Sequence, residues 1–413
     1  MQLFFKLYTM YFDELPFEDE ILDALDAMNF VEMTPVQEQT MPIIMDGHDV
    51  ISCAQTGTGK TAAYILPLLN NLLNDSHSAD HLNAIIMAPT RELAQQIDQQ
   101  MQGFSYFAPF SSVAVYGGND GNAWDIQKKG LTHGADIVIA TPGRLLSHMK
   151  VYNIDFSHIK YFILDEADRM LDMGFYDDIM KIVNKLPKSR QTIMFSATMP
   201  PKIRTMAKQI MHSPKEVRIA ISRPPETIRQ MAYICYEPQK IKLIEHIFQD
   251  KTLSKVILFV GKKNAVHDIT RSLRKLGLRA DEMHSDLEQS ARDHVMHEFR
   301  NGRVDILVAT DIVSRGIDID DIPLVINYNV PRDAEDYVHR IGRTARAANS
   351  GEAITLVGPD EQIFFQRIEK FLEKDIEKLP LPQGFEPGPE YVIGKEEKKK
   401  KKSYKRNKKR SKK

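Results

Sequence analysis

The sequence predicts an α/β protein of two tandem domains, each a mostly parallel sheet flanked by helices, followed by a disordered basic C-terminal tail. Three observations lead there. Short apolar runs alternate with longer stretches of helical period, as in "TRELAQQIDQQM" at 90–101. The alternation breaks at "SPKEVRIAISRPPETIRQ", with two adjacent prolines and few apolar residues, and then begins again. Finally, 413 residues exceed what one ordinary hydrophobic core organises.

The first domain spans 10–219, with strands expected at 49–53, 84–88, 112–115, 137–140, 161–164 and 192–195. The linker is placed at 220–229. The second domain spans 230–379, with strands at 231–235, 255–260, 279–283, 305–309, 324–328 and 353–357. "LPLPQGFEPGPE" reads as a Pro/Gly linker, so 380–413 is linker plus tail. No repeat of fixed period is visible.

Hydrophobic content of 42% supports globular folding. The net charge of −1 hides an asymmetry. Residues 395–413 hold thirteen Lys or Arg against two Glu, a local +11, which leaves the remainder near −12. Such a run is either a solvated solubility tail or a grip for polyanions. The two cysteines, Cys53 and Cys235, give neither a disulfide framework nor zinc spacing and suit a reducing cytoplasm. No apolar run reaches the roughly twenty residues of a membrane span. "MQLFFKLYT" has neither helical period nor a secretory pattern, and Met10 is an alternative start.

Chemistry enters after the strand at 49–53. "AQTGTGKT" (Ala54, Gln55, Thr56, Gly57, Thr58, Gly59, Lys60, Thr61) precedes the helical "AAYILPLLNNLL". A Gly-rich turn there offers backbone N–H groups at the positive end of a helix dipole. Lys60 can reach outer phosphates and the Thr61 hydroxyl can bind Mg²⁺. The general P-loop pattern opens on Gly, and here Ala54 stands in its place. In "YFILDEADRM", Asp165, Glu166 and Asp168 crowd the mouth of an apolar strand. Crowded carboxylates in a partly dry place call for a cation. Asp165 suits Mg²⁺ and Glu166 the activation of the attacking water. Asp168 is expected to hydrogen-bond another motif rather than the metal.

The ordered set "AQTGTGKT", "PTREL" (89–93), "GG" (117–118), "TPGR" (141–144), "DEAD" (165–168), "SAT" (196–198), "ATDIVSRGID" (309–318) and "HRIGRTAR" (339–346) resembles the DEAD-box RNA helicases of superfamily 2 over roughly 12–372. The short basic tail is similar to bacterial RhlE-type members. The resemblance implies two RecA-like domains and an RNA-stimulated ATPase that separates short RNA duplexes. A clamp that ATP locks on RNA, with little unwinding, would use the same motifs. A DNA motor is disfavoured by the DEAD sequence and the lack of a DNA-tracking domain.

"NFVEMTPVQ" then matches the adenine-reading Q motif, with Gln37 on the base, Phe30 stacked and Phe12 supporting. Taken alone, Phe12 and Phe30 would be core residues. Asn29 replaces the usual Gly and Met33 the usual Pro. Asn tolerates left-handed backbone, so little harm is expected. The resemblance makes Arg340 and Arg343 arginine fingers, puts Asp318 on the ribose, and makes Asp168, Ser196, Thr198 and His339 coupling residues. RNA is expected across both domains, opposite the ATP cleft. Its contacts would be Thr90, Arg91, Gly117, Gly118, Thr141, Gly143, Arg144, Gln289, Arg292, Thr310 and Arg315. Small polar residues, glycines and arginines suit phosphate and 2′-OH contacts that read no sequence. No aromatic stacking cluster is visible. "HSD" (284–286) has Ser, and "NYNVP" (327–331) has Asn329, where the family has mostly Gly and Asp. His294 and His297 sit at i, i+3 without a third metal ligand nearby. A cytoplasmic monomer without membrane contact is expected.

Overall fold

The structure, a computed structural model, describes residues 10–54, 57–74, 81–118, 121–219, 227–249, 255–284, 286–310, 322–344 and 351–392. The chain divides into two units after Ser222.

In the first unit, strands β1 (Val50–Cys53), β2 (Ala84–Met87), β3 (Ser112–Val115), β4 (Ile137–Ala140), β5 (Tyr161–Leu164), β6 (Gln191–Ser196) and β7 (Lys215–Arg218) form one sheet. Its order is β3-β4-β2-β5-β6-β1-β7, and every pairing is parallel. Helices α1 (Asp19–Ala27), α2 (Pro35–Met45), α3 (Lys60–Asn74), α4 (Arg91–Phe104), α5 (Gly121–His133), α6 (Pro142–Val151), α7 (Ala167–Asp172), α8 (Tyr176–Val183) and α9 (Pro201–Ile210) connect them. Successive side chains of a strand point to opposite faces. Ala84, Ile86, Tyr161 and Ile163 therefore enter a core with α1 to α4. Ile85, Met87, Phe162 and Leu164 enter another with α6 to α9. Two covered faces explain why these strands read as unbroken apolar runs.

The second unit repeats the plan with β8 (Ile228–Ile234), β9 (Val256–Phe259), β10 (Ala280–Met283), β11 (Ile306–Ala309), β12 (Leu324–Asn327), β13 (Gly351–Val357) and β14 (Glu377–Leu379). Their order is β10-β11-β9-β12-β13-β8-β14, again all parallel. Helices α10 (Glu237–Gln249), α11 (Lys263–Lys275) and α12 (Gln289–Arg300), with those at Ala334–Ile341 and Gln362–Leu372, cover it. Both units are thus RecA-like.

Three expectations need correction. The linker at 220–229 runs too far, because Ile228 pairs with Gly351 and opens β8; residues 220–226 lie outside the described ones. Strands β7 and β14 escape the sequence reading because they are short, charged edge strands with few apolar positions. The supposed Pro/Gly linker belongs, at 381–392, to the second unit. Leu381 and Phe385 pack on its core, Gln239 Nε2 donates to the Glu386 carbonyl at 2.8 Å, and Val392 N donates to Gln362 Oε1 at 3.0 Å. The basic run at 395–413 lies outside the described residues. No helix among the described residues is long and apolar enough to cross a membrane.

Candidate functional site

Strand order sorts the motifs. The loops after β1, β5 and β6, which are neighbours, carry 54–61, 165–168 and 197–198. Those after β3, β4 and β2, also neighbours, carry 116–118, 141–144 and 88–91. All leave the carboxyl edge of one parallel sheet, where α/β proteins bind ligands. Within this unit the two sets occupy adjacent blocks of one edge.

In the P-loop, Gly57 and Gly59 take positive φ, +79° and +86°. Gln55 and Thr56 lie outside the described residues. A Cβ on Gly59 would stand 2.5 Å from Gln37 Nε2. That closeness is used: Gln37 Nε2 donates to the Gly59 carbonyl at 3.1 Å, and Gln37 Oε1 accepts from Thr34 N at 2.8 Å. Among the described residues each end of the amide has one valence left over. Ala54 N donates to the Ser196 carbonyl at 3.1 Å, tying the loop to the "SAT" segment. Lys60 opens α3 with Thr61 next to it. Lys60 is buried, and its Nζ has no hydrogen-bond partner among the described residues. A buried, unpartnered ammonium at a helix N-terminus is costly unless an anion completes it.

Met10 and Phe12 pair with the stretch 31–33 through Met33 N to Met10 O at 2.9 Å and Phe12 N to Val31 O at 3.3 Å. Phe30 is half-buried, edge-on to Phe12 at 6.2 Å and to Phe104 at 5.3 Å between ring centroids. Asn29 adopts φ +56°, the left-handed backbone a Gly would take.

The three carboxylates diverge. Asp165 is 2% exposed. Burial pushes its carboxyl pKa up, and the nearby Lys60 charge opposes that rise. Its Oδ2 accepts from Tyr64 OH at 3.0 Å and its Oδ1 from Glu166 N at 2.8 Å. Glu166 sits at φ 49°, ψ 51°, a left-handed residue that swings the chain off the strand axis. Its Oε2 lies 4.0 Å from Arg169 Nη1. Asp168 Oδ2 accepts from Thr198 N at 2.9 Å and Thr198 Oγ1 at 2.8 Å. Ser196 Oγ donates to the Thr198 carbonyl at 2.6 Å. Sequence reasoning missed Tyr64; a lone hydroxyl in the apolar helix "AAYILPLL" was the available signal.

The second block is also knit together. Thr90 caps α4, accepting from Leu93 N at 3.3 Å. The Arg91 guanidinium lies 5.2 Å from the centre of the Tyr116 ring, and a Cβ on Gly118 would meet Arg91 Nη1 at 2.7 Å. Tyr116 O accepts from Gln127 Nε2 at 3.0 Å, and Gln127 Oε1 accepts from Arg144 Nε at 2.7 Å. Thr141 precedes α6, and nothing lies within 4 Å of where a Cβ on Gly143 would be. An aromatic cluster lies beside these residues. Trp124 stacks on His148 at 3.8 Å and donates to Tyr152 OH at 2.8 Å. Spread over 124–152, it has no signature in sequence.

In the second unit, His339, Arg340 and Arg343 are buried at the end of one helix. Arg340 Nη1 donates to Asn327 Oδ1 at 3.1 Å and the Asn329 carbonyl at 2.8 Å. Asn329 Nδ2 donates to Glu361 Oε1 at 2.9 Å, where an Asp would face a second carboxylate. Thr310 follows β11 and Arg292 lies on α12. Arg315, Asp318 and the Gln289 side chain lie outside the described residues. His294 and His297 gain no third ligand among the described residues. His81, Asp155 and His158 do converge within 4.8 Å, near the amino ends of β2 and β5.

Two parallel sheets, one bearing a P-loop beside a buried Asp-Glu pair, define a P-loop ATPase. Residues 34–206 match the DEAD/DEAH box helicase family and 239–348 the helicase conserved C-terminal domain. The chain is 38% identical over 372 residues to the ATP-dependent RNA helicase CshA of Listeria monocytogenes, covering 90% of itself and 70% of that protein. It is 38% identical to DeaD of Haemophilus influenzae, covering 60% of that longer protein. Among solved structures, S. cerevisiae Dbp5 bound to RNA and ADP BeF3 aligns at TM-score 0.78 and 30% identity, over 90% of this chain and 95% of that one. Mss116p bound to ssRNA and AMP-PNP aligns at TM-score 0.77 and 31% identity, over 90% and 79%. The chain belongs to the DEAD-box ATP-dependent RNA helicases. The tail on which the RhlE-type resemblance rests lies outside the described residues.

Proposed function

We propose that the chain couples ATP hydrolysis to local separation of short RNA duplexes, without reading base sequence. The observation that carries this is the buried Lys60 ammonium, unpartnered among the described residues, next to Asp165 and Glu166. In this reading Lys60 and the N–H groups of 54–61 hold the phosphates, Gln37 reads adenine with its spare valences, and Phe30 and Phe12 support it. Glu166 deprotonates the attacking water. Arg340 and Arg343 offset charge on the γ-phosphate in the transition state. Arg340 would first have to trade one of its present carbonyl or amide partners. The donor set also fits Mg²⁺: Thr61 and Asp165 would hold it, Asp165 through water, and the ion would offset phosphate charge.

RNA lies along Thr90, Arg91, Gly117, Gly118, Thr141, Gly143 and Arg144, and in the second unit Arg292 and Thr310, by contacts to phosphate and ribose. Gln289, Arg315 and Asp318 keep the roles the resemblance gives them. Asp168, Ser196, Thr198 and His339 couple nucleotide to RNA. The work is that of a cytoplasmic monomer.

The test is strand displacement from a short RNA duplex. The natural chain should release the strand only with ATP. Lys60→Ala should lose ATP binding. Glu166→Gln should bind ATP and RNA yet hydrolyse about 10²–10⁴-fold more slowly, since only the base is lost. Normal turnover by the Gln variant would refute the assignment of the base. ATP-dependent binding without strand release would point to a clamp instead.

A further inference from the structure

Trp124 is the single tryptophan of the chain. It is half-buried on α5, and its indole belongs to a compact pile. The His148 ring lies nearly parallel to it, 19° off and 3.8 Å between centroids. Its Nε1 donates to Tyr152 OH at 2.8 Å, which fixes the ring's rotation. The Arg144 guanidinium carbon lies 4.4 Å from the indole centre, within the range of a cation–π contact.

Gln127, one helical turn beyond Trp124, closes the arrangement. Its Oε1 accepts from Arg144 Nε at 2.7 Å and contacts His148 Nε2 at 3.0 Å, while its Nε2 donates to the Tyr116 carbonyl at 3.0 Å. An amide oxygen only accepts, so His148 carries its proton on Nε2. His148 is fully buried, and its unprotonated Nδ1 is a buried acceptor without a hydrogen-bond partner among the described residues. Burial first, and Arg144 second, lower the His148 pKa to about 4. The ring is therefore neutral near pH 7, and Arg144 carries the charge of the pile.

Arg144 is thus held through Nε and through one face of its guanidinium. Among the described residues no carboxylate pairs with it. Its two outer nitrogens remain for a ligand, beside Thr141 and the open Gly143 at the carboxyl edge of the sheet. A free surface arginine loses side-chain entropy when it is fixed. Here the fixing is done before any ligand arrives. A planar two-nitrogen fork matches a phosphate group bidentately.

We propose that Trp124, His148 and Gln127 are positioning residues for RNA: they hold Arg144 as a preformed clamp on one backbone phosphate of the bound strand. This rests on the reading of Arg144 as an RNA contact. It adds that the contact's strength is set by an aromatic platform outside every RNA motif of the chain.

The test uses the full chain, a labelled single-stranded oligouridine and a non-hydrolysable ATP analogue. Arg144→Ala should weaken RNA binding and reduce the salt slope by about one unit. Trp124→Ala should weaken it about 3- to 30-fold, the worth of a partly desolvated cation–π contact. Trp124→Phe should recover most of that loss, and ATP affinity without RNA should not change in either variant. In the natural chain, Trp124 emission should change on RNA addition with the same midpoint as the labelled RNA, and this signal should vanish in Arg144→Ala. If Arg144→Ala weakens binding while Trp124→Ala does not, the platform idea falls and the RNA contact stands. If neither weakens it, Arg144 is not an RNA contact at all. Should Trp124→Ala fail to fold, an emission that stays flat at saturating RNA in the natural chain overturns the proposal by itself.

Discussion

Thr198 donates twice to one oxygen of Asp168, from its backbone N at 2.9 Å and from its hydroxyl at 2.8 Å. The pair joins the first turn of α7 to the segment leaving β6, across thirty positions of sequence. Asp168 is spent on this link, while its neighbours Asp165 and Glu166 turn elsewhere.

Thr198→Ala removes one of the two donors and keeps the other. A hydrogen bond to a charged acceptor is worth about 1.5–3 kcal/mol. Strand release should slow by roughly tenfold or more, while ATP affinity without RNA stays constant, because neither residue belongs to the P-loop. An equal fall in ATP affinity would move Asp168 into the nucleotide site.

Tyr64→Phe strips the buried donor from Asp165 Oδ2. An unsatisfied buried acceptor costs about 1–3 kcal/mol, read as a lower midpoint in chemical denaturation. The sign with pH follows from the same bond. Burial raises the Asp165 pKa and Tyr64's donation lowers it. Without the hydroxyl, Asp165 protonates at higher pH, so the acidic limb of the ATPase pH profile should move upward. An unmoved limb would mean that Tyr64 only fills space.

Asn329→Asp restores the residue the family mostly carries, but here it faces Glu361, which also takes Lys240 Nζ at 2.9 Å. Two carboxylates at hydrogen-bond distance cannot both ionise cheaply. The variant should be less stable at pH 7 and recover as pH falls, because the pair's raised pKa lets it share a proton. Adding Glu361→Gln should cancel the defect in thermal melts. A variant as stable as the natural chain at pH 7 would show that Lys240 neutralises both acids.

Truncation after Gly394 removes the +11 run. Lys-rich segments bind phosphates by counterion release, so the effect must depend on salt. At low salt the shortened chain should need more RNA for half-maximal ATPase, with nearly the same maximal rate, and added salt should shrink the gap. Loss of maximal rate at fixed RNA affinity would mean the tail has another role.

The chain order of motifs already specified the class of site, because a P-loop, an acid-tipped strand and an arginine-bearing helix are local patterns with local chemistry. The same holds for the α/β alternation and for twelve of the fourteen strands among the described residues. Only tertiary structure decided the rest. β7 and β14 earn their place by pairing at sheet edges, not by apolar content. The Pro/Gly stretch at 381–392 reads as a linker until its carbonyls meet Gln239 and Gln362. Tyr64 and Asp165 are 101 positions apart, and Trp124 and Arg144 belong to different helices. The sequence therefore determined which residue types were available to phosphate, adenine and RNA. Folding decided which of them are buried, paired and aimed, because those depend on contacts between residues that no local pattern links.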